Sequence, residues 1–295
     1  MNSSLGSSEL ILNPDGSVYH LNLFPEDIAS TIITVGDQNR VHEVSKYFDS
    51  IDIKKSKREF FTHTGTYSGK RLTVISTGIG TDNIDIVFNE LDALVNIDFD
   101  SREIKPRKTA LNFIRVGTSG SLQPDIPVDS FLMCTVGIGF DNLLHFYDSA
   151  HIRNKELELA LTEYLGWETH NIHPYAVDFD KELADVFASN RIRLGATVTN
   201  SGFYGPQGRT LRLPPAIKDF NDKLAAFSFG NTRITNMEME TSAIYGIAKL
   251  QGHRAVSLNA ILANRATGEF SQQGAKTIDE LIQYTLKRIA QSQLV

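Results

Sequence analysis

The chain has 295 residues, 41% hydrophobic and 22% charged, with 29 Lys and Arg against 35 Asp and Glu for a formal charge of −6. These proportions exclude a largely disordered, collagen-like or disulfide-stapled chain, and the length allows one large α/β domain or two smaller ones. A single cysteine, Cys134, forms neither an intramolecular disulfide nor a multi-cysteine metal site, and the acidic balance without a long Lys/Arg run argues against nucleic acid as main partner. The opening MNSSLGSSEL lacks a basic stretch ahead of an apolar one, so no signal peptide is expected. Nowhere do about 18 apolar residues run without charge, so no membrane span is expected either. The expectation is a cytoplasmic protein in which any bound anion meets a local positive site.

In chain order, residues 1–17 are rich in Ser, Asn and Gly and read as a loose terminus. From residue 18 the chain alternates β-rich runs with helical stretches, the pattern of an α/β fold. Thr31–Val35 is a β-branched run ending at Gly36-Asp37, as a buried strand leading into a turn looks, and Val41, Val44 and Phe48 follow at helical spacing. Strands are expected at Arg58–Tyr67 and Arg71–Ser76 about a Ser68-Gly69 turn, then a helix from Ile84 to Val95 after Thr77-Gly78-Ile79-Gly80. Ala110–Val116 reads as a strand closed by Gly117-Thr118-Ser119-Gly120, and Ser130–Val136 as another. Helical periodicity marks Asn154–Leu165 and Lys181–Ala188 in the poorly patterned stretch 140–190. Arg193–Thr199 and Ala255–Ala263 read as strands, Thr241–Leu250 and Thr277–Ser292 as helices. No repeat or linker divides the chain, so one domain spanning 18–295 is expected.

Four polar clusters stand where strands end, the place at which open α/β sheets bind ligands. Gly36-Asp37-Gln38-Asn39-Arg40 puts a close-approach glycine and an arginine at a helix start, which suits an oxyanion, although an ordinary turn with a solvated arginine reads equally well. Arg115, inside an apolar strand, needs a partner, either a carboxylate of the protein or a bound anion, and Thr118 supplies a hydroxyl nearby. Glu238 and Glu240, two apart before a helix, read as paired carboxylates or as helix-capping acids. Phe203-Tyr204-Gly205-Pro206-Gln207-Gly208-Arg209 offers aromatic faces beside an amide and a guanidinium, able to stack a flat ring and read its polar edge, or to form a plain mobile loop. Thr77–Gly80 lacks the third glycine of a dinucleotide fingerprint. There is no P-loop, no Gly-x-Ser-x-Gly elbow and no His-x-x-x-His pair, and Cys134 falls within a strand. His145 and His151 read as surface or packing residues.

Together, Ile114–Pro127, Asn236–Ala243 and Ala263-Asn264-Arg265 resemble the hexameric-type nucleoside phosphorylases, the uridine phosphorylases among them, and similar segments extend from Val18-Tyr19-His20-Leu21 to Arg265. The resemblance implies a single α/β domain, a central mixed sheet flanked by helices, and reversible phosphorolysis of a nucleoside to a base and ribose 1-phosphate. It implies that Gly36, Arg40, Arg115 and Thr118 hold phosphate, and that Glu240, with Met239, Glu238 and Thr118, holds ribose. His20 would reach the ligand of a neighbouring subunit. Phe203, Gln207, Arg209 and Arg265 would face the base, with Arg115, Glu240 and Arg209 central to catalysis. A partner-subunit phosphate arginine is assigned to Arg58, placed as in the purine branch, because Thr64 stands where the uridine branch has it. Asn264 stands where purine enzymes carry an acid, which tips the base towards a pyrimidine. The acidic ligand of a monovalent-cation site is not matched, so neither a metal nor a cofactor is expected, phosphate being a co-substrate. The implied partners are small molecules and further copies of the chain, at least a dimer and commonly a hexamer. A nucleosidase on the same fold, a purine enzyme, a non-catalytic nucleoside-binding protein and a dinucleotide-dependent oxidoreductase are the alternatives.

Overall fold

The β-branched run Thr31–Val35 forms β1 and is buried at every position, with neighbours on both edges. The computed structural model describes residues 4–169 and 171–294. After β1 come α1 (Gln38–Ser45), β2 (Ser50–Lys57), β3 (Phe60–Tyr67), β4 (Lys70–Ser76), α2 (Thr81–Asn96), the short pair β5 (Ile97–Asp98) and β6 (Glu103–Ile104), β7 (Asn112–Ser121) and β8 (Phe131–Gly139). Then follow α3 (Lys155–Leu165), β9 (Tyr175–Asp178), α4 (Lys181–Phe187), β10 (Ile192–Thr199), α5 (Phe220–Ala226), β11 (Ser228–Phe229) and β12 (Thr232–Glu238). The chain closes with α6 (Thr241–Leu250), β13 (Arg254–Asn264), β14 (Glu269–Phe270) and α7 (Gly274–Gln291).

The fold is a single α/β domain on one large mixed sheet, in the order β11-β12-β10-β8-β13-β7-β1-β4-β3-β2. A further antiparallel pairing of β12 with β7, Asn236 to Ser121 and Met237 to Gly120, closes β7, β13, β8, β10 and β12 into a ring. Helices cover both faces. Phe88 and Leu91 of α2 pack with Ile244 and Ile247 of α6 in one cluster, while Val41 and Val44 of α1 pack with Leu183 of α4 and Leu281, Leu286 and Ile289 of α7 in another. A third cluster places α3 and α5 around Trp167, whose ring stacks on Phe220 with centroids 5.6 Å apart.

Several expectations need correction. The strand expected to end at Val116 continues through Gly117-Thr118-Ser119-Gly120 to Ser121, because β13 pairs along this whole stretch and β12 takes part of the other edge. Tertiary pairing here overrides weak strand composition. β2 was not expected. It is an edge strand whose residues alternate between exposed and half-buried, and Asp52, Lys54, Lys55 and Lys57 give it the charged dress of a protected sheet edge. β9, β12 and α5 were also not expected as elements. Before residue 18, the Leu5 amide donates to the Arg102 carbonyl at 2.9 Å, the Arg102 Nε donates to the Leu5 carbonyl at 2.7 Å, Leu10 is buried, and Leu12 bridges to Val18.

Candidate active site

The carboxyl ends of β1, β4, β7, β10 and β12 converge on a cavity of about 790 Å³. Ten of the residues singled out from the sequence line it, namely Gly36, Arg40, Arg115, Thr118, Phe203, Gln207, Arg209, Glu238, Met239 and Glu240. His20, Arg58 and Arg265 do not.

The centre of the site is an ion cluster around Arg115. Its Nη2 donates to Glu240 Oε2 at 2.7 Å and lies 3.1 Å from Glu238 Oε2, while Nη1 donates to Asn259 Oδ1 at 2.8 Å. Arg115 and both glutamates are buried. The strand arginine therefore has the carboxylate partners its burial demands, and the two glutamates divide the roles between which the sequence could not choose. Glu238 is the capping acid, since its carboxylate accepts from the Glu240 and Thr241 amides at 2.9–3.1 Å and from the Thr199 hydroxyl at 2.7 Å. Glu240 carries fewer such bonds, accepting from the Gly80 amide at 2.9 Å and from Arg115. Burial pushes the Glu240 carboxyl upward and the Arg115 charge opposes that shift. Burial acts against the Arg115 charge too, but Glu238 and Glu240 outweigh it and raise its pKa.

Asp37 caps α1 by accepting from the Asn39 amide at 2.9 Å, which brings Arg40 into the first turn facing the cavity. Burial first, and then the Arg115 charge, lower the Arg40 pKa. At the other end, Arg209 lies over the Phe203 ring at 3.7 Å and donates to the Phe203 carbonyl at 2.6 Å and to Gln207 Oε1 at 2.5 Å. Burial, and then the Arg265 guanidinium, lower the Arg209 pKa. Arg265 thus stands near Arg209 without lining the cavity.

His20 is pinned elsewhere, with Nδ1 2.6 Å from Glu90 and its backbone amide donating to the same carboxylate. Arg58 occupies the β2–β3 turn at φ 55°, with its guanidinium 5.9 Å from the Tyr19 ring centre and its carbonyl accepting from Gln38 Nε2. The largest correction concerns Asn264. Its buried amide donates to the Gln123 and Ile126 carbonyls at 2.9 Å and accepts from the Ala266 and Thr267 amides at 2.9 and 3.0 Å. It fastens a turn and does not line the cavity, so its identity says nothing direct about the base. Sequence reasoning also missed Gly80, whose positive φ of 100° aims an amide at Glu240. Its neighbours Gly78 and Ile79 line the cavity, and the segment drew notice only as an incomplete dinucleotide turn. Asp37 and Glu59 line the cavity as well, so its three guanidiniums stand against four carboxylates.

Residues 30–291 match the model of the phosphorylase superfamily, and the chain belongs to that family. A uridine phosphorylase of Thermococcus kodakarensis is 29% identical over 277 residues, covering 92% of this chain and 86% of its own. A DeoD-type purine nucleoside phosphorylase of Bacillus velezensis is 25% identical over 276 residues, covering 92% and 99%. Among solved structures, a Trypanosoma brucei nucleoside phosphorylase, described as showing uridine phosphorylase activity, superimposes with a TM-score of 0.87 at 28% identity and covers 96% of this chain and all of its own.

Proposed function

We propose that this nucleoside phosphorylase cleaves uridine or a related pyrimidine nucleoside, with phosphate as the nucleophile and uracil and ribose 1-phosphate as products. The observation that carries the base choice is the Phe203–Gln207–Arg209 group. It offers a ring face, an amide and a guanidinium, and among the described residues no carboxylate lines the cavity beside it. Such an edge suits a pyrimidine leaving with negative charge on its carbonyls, whereas a departing purine gains from an acid. Loss of the base builds positive charge on the ribose. In this reading Glu240 holds the ribose hydroxyls, with Met239 against the sugar and Glu238 behind them. Gly36, Arg40, Arg115 and Thr118 form the opposite pole, where phosphate would sit below the sugar.

Within one chain, Glu238 and Glu240 already balance Arg40 and Arg115. A phosphate dianion needs further positive charge, and Arg58 from a partner subunit supplies it in this reading, with His20 completing the sugar end of the neighbouring site. The arginines also favour phosphorolysis over a water-using nucleosidase. The test is base release from uridine with and without phosphate. Uracil formed only with phosphate supports the reading, and equal release in its absence overturns it in favour of hydrolysis.

A further inference from the structure

Arg115 is held on two sides, and only one of them belongs to the cavity. Glu238 and Glu240 both draw on Nη2. Nη1 donates instead to Oδ1 of Asn259, which is fully buried on β13 and does not line the cavity. Asn259 is itself fixed, since its Nδ2 donates to Ser257 Oγ at 3.2 Å and that hydroxyl lies 2.9 Å from Thr241 Oγ1. The Ser257 amide in turn donates to the Tyr245 hydroxyl, which donates to the Cys134 carbonyl at 2.8 Å. This buried chain leaves the amide of Asn259 one favourable orientation, with Oδ1 towards the arginine. On the flat side of the guanidinium stands Gly117, where an added Cβ would lie 1.9 Å from Nη1.

We propose that Asn259 is a positioning residue for Arg115, keeping Nη1 from swinging into a two-pronged pairing with the glutamates so that the guanidinium still offers donors to phosphate. An arginine beside two carboxylates gains by pairing with both of its terminal nitrogens. An acceptor behind Nη1 opposes that rotation, and Gly117 leaves room for the plane the acceptor selects. The proposal rests on Arg115 being a phosphate ligand.

The test measures inorganic phosphate binding by calorimetry, together with KM for phosphate and for uridine, in the wild type, in Asn259→Leu, which has no acceptor, and in Asn259→Ser, which is smaller and keeps a hydroxyl. Losing one hydrogen bond to a charged group predicts phosphate binding weaker by about tenfold or more in Asn259→Leu and by less in Asn259→Ser, with KM for uridine within about twofold of wild type. If Asn259→Leu does not fold, Asn259→Ser carries the test. Unchanged phosphate affinity, or equal losses for phosphate and uridine, would overturn the assignment. Wild-type protein that binds no phosphate would overturn both this assignment and the phosphorolysis reading, whereas wild-type binding matched by both variants would overturn this assignment alone.

Discussion

The two ends of the cavity are built differently. The end holding Arg115, Glu238 and Glu240 is made of strand termini and a helix start, its side chains are buried, and each has at least two partners within hydrogen-bonding distance. At the other end, Phe203, Gln207 and Arg209 ride on the loop after β10. Phe203 is 50% exposed, and Arg209 bonds only within its own loop. Gln207 is buried and its carbonyl accepts from Asn221 Nδ2 at 3.3 Å, so the loop is anchored at one residue, whereas the charge cluster sits on strand and helix ends throughout.

The largest effect that would sharpen this contrast is expected from Arg115→Ala. Removing the guanidinium leaves two buried carboxylates without their cation, so a loss of about 3–5 kcal/mol in stability is expected, together with nearly all phosphate-dependent turnover. Chemical denaturation and a phosphate titration read the two parts, and wild-type phosphate affinity in this variant would break the account of the rigid end. Gly117→Ala comes next. Its Cβ must displace the guanidinium, so phosphate KM should rise about tenfold or more while the preference between uridine and inosine stays the same. Arg209→Ala should do the reverse, lowering kcat/KM for uridine about tenfold to a thousandfold with phosphate KM little changed, and an unaltered ratio of uridine to inosine cleavage would break the assignment of the loop.

A last effect, on stability alone, lies at neither end. His63 is buried beside Ser45, with His42 and Lys54 near it, and burial first and then those charges hold its pKa down at about 4. The unfolded chain then binds the extra proton more readily, so stability present above pH about 6.5 falls as the pH drops towards 4, by at most about 3 kcal/mol. In urea titrations across that range, His63→Gln should flatten the dependence, and an unchanged slope would remove His63 as its source.

How much of this was legible in the sequence depended on whether a residue's partners lie nearby along the chain. β1 and α6 were expected at their observed bounds because β-branched and apolar periodicity is a local signal. β2 was missed because an exposed edge strand carries charges in place of an apolar face. β7 was cut short because its last residues are glycine, serine and threonine, held in the sheet only by β12 and β13. In the site, the residue types at strand ends were enough to collect nine of the ten cavity-lining residues, and Met239 entered through the resemblance. The division of labour between Glu238 and Glu240 was not legible, since it depends on Thr199, Gly80 and Arg115, far away in sequence. Asn264 shows the opposite failure: its position by resemblance pointed to the base, yet its four hydrogen bonds turn the amide into a turn clamp. Asn259 gave no sequence signal at all, being with Ser257 a polar residue inside the otherwise apolar run of β13.

The most direct measurement is a competition in which the protein receives equal uridine and inosine with phosphate, and uracil, hypoxanthine and ribose 1-phosphate are quantified together. The account predicts uracil in large excess, with one ribose 1-phosphate formed for each base released. Hypoxanthine in excess, or bases released without the sugar phosphate, would contradict it.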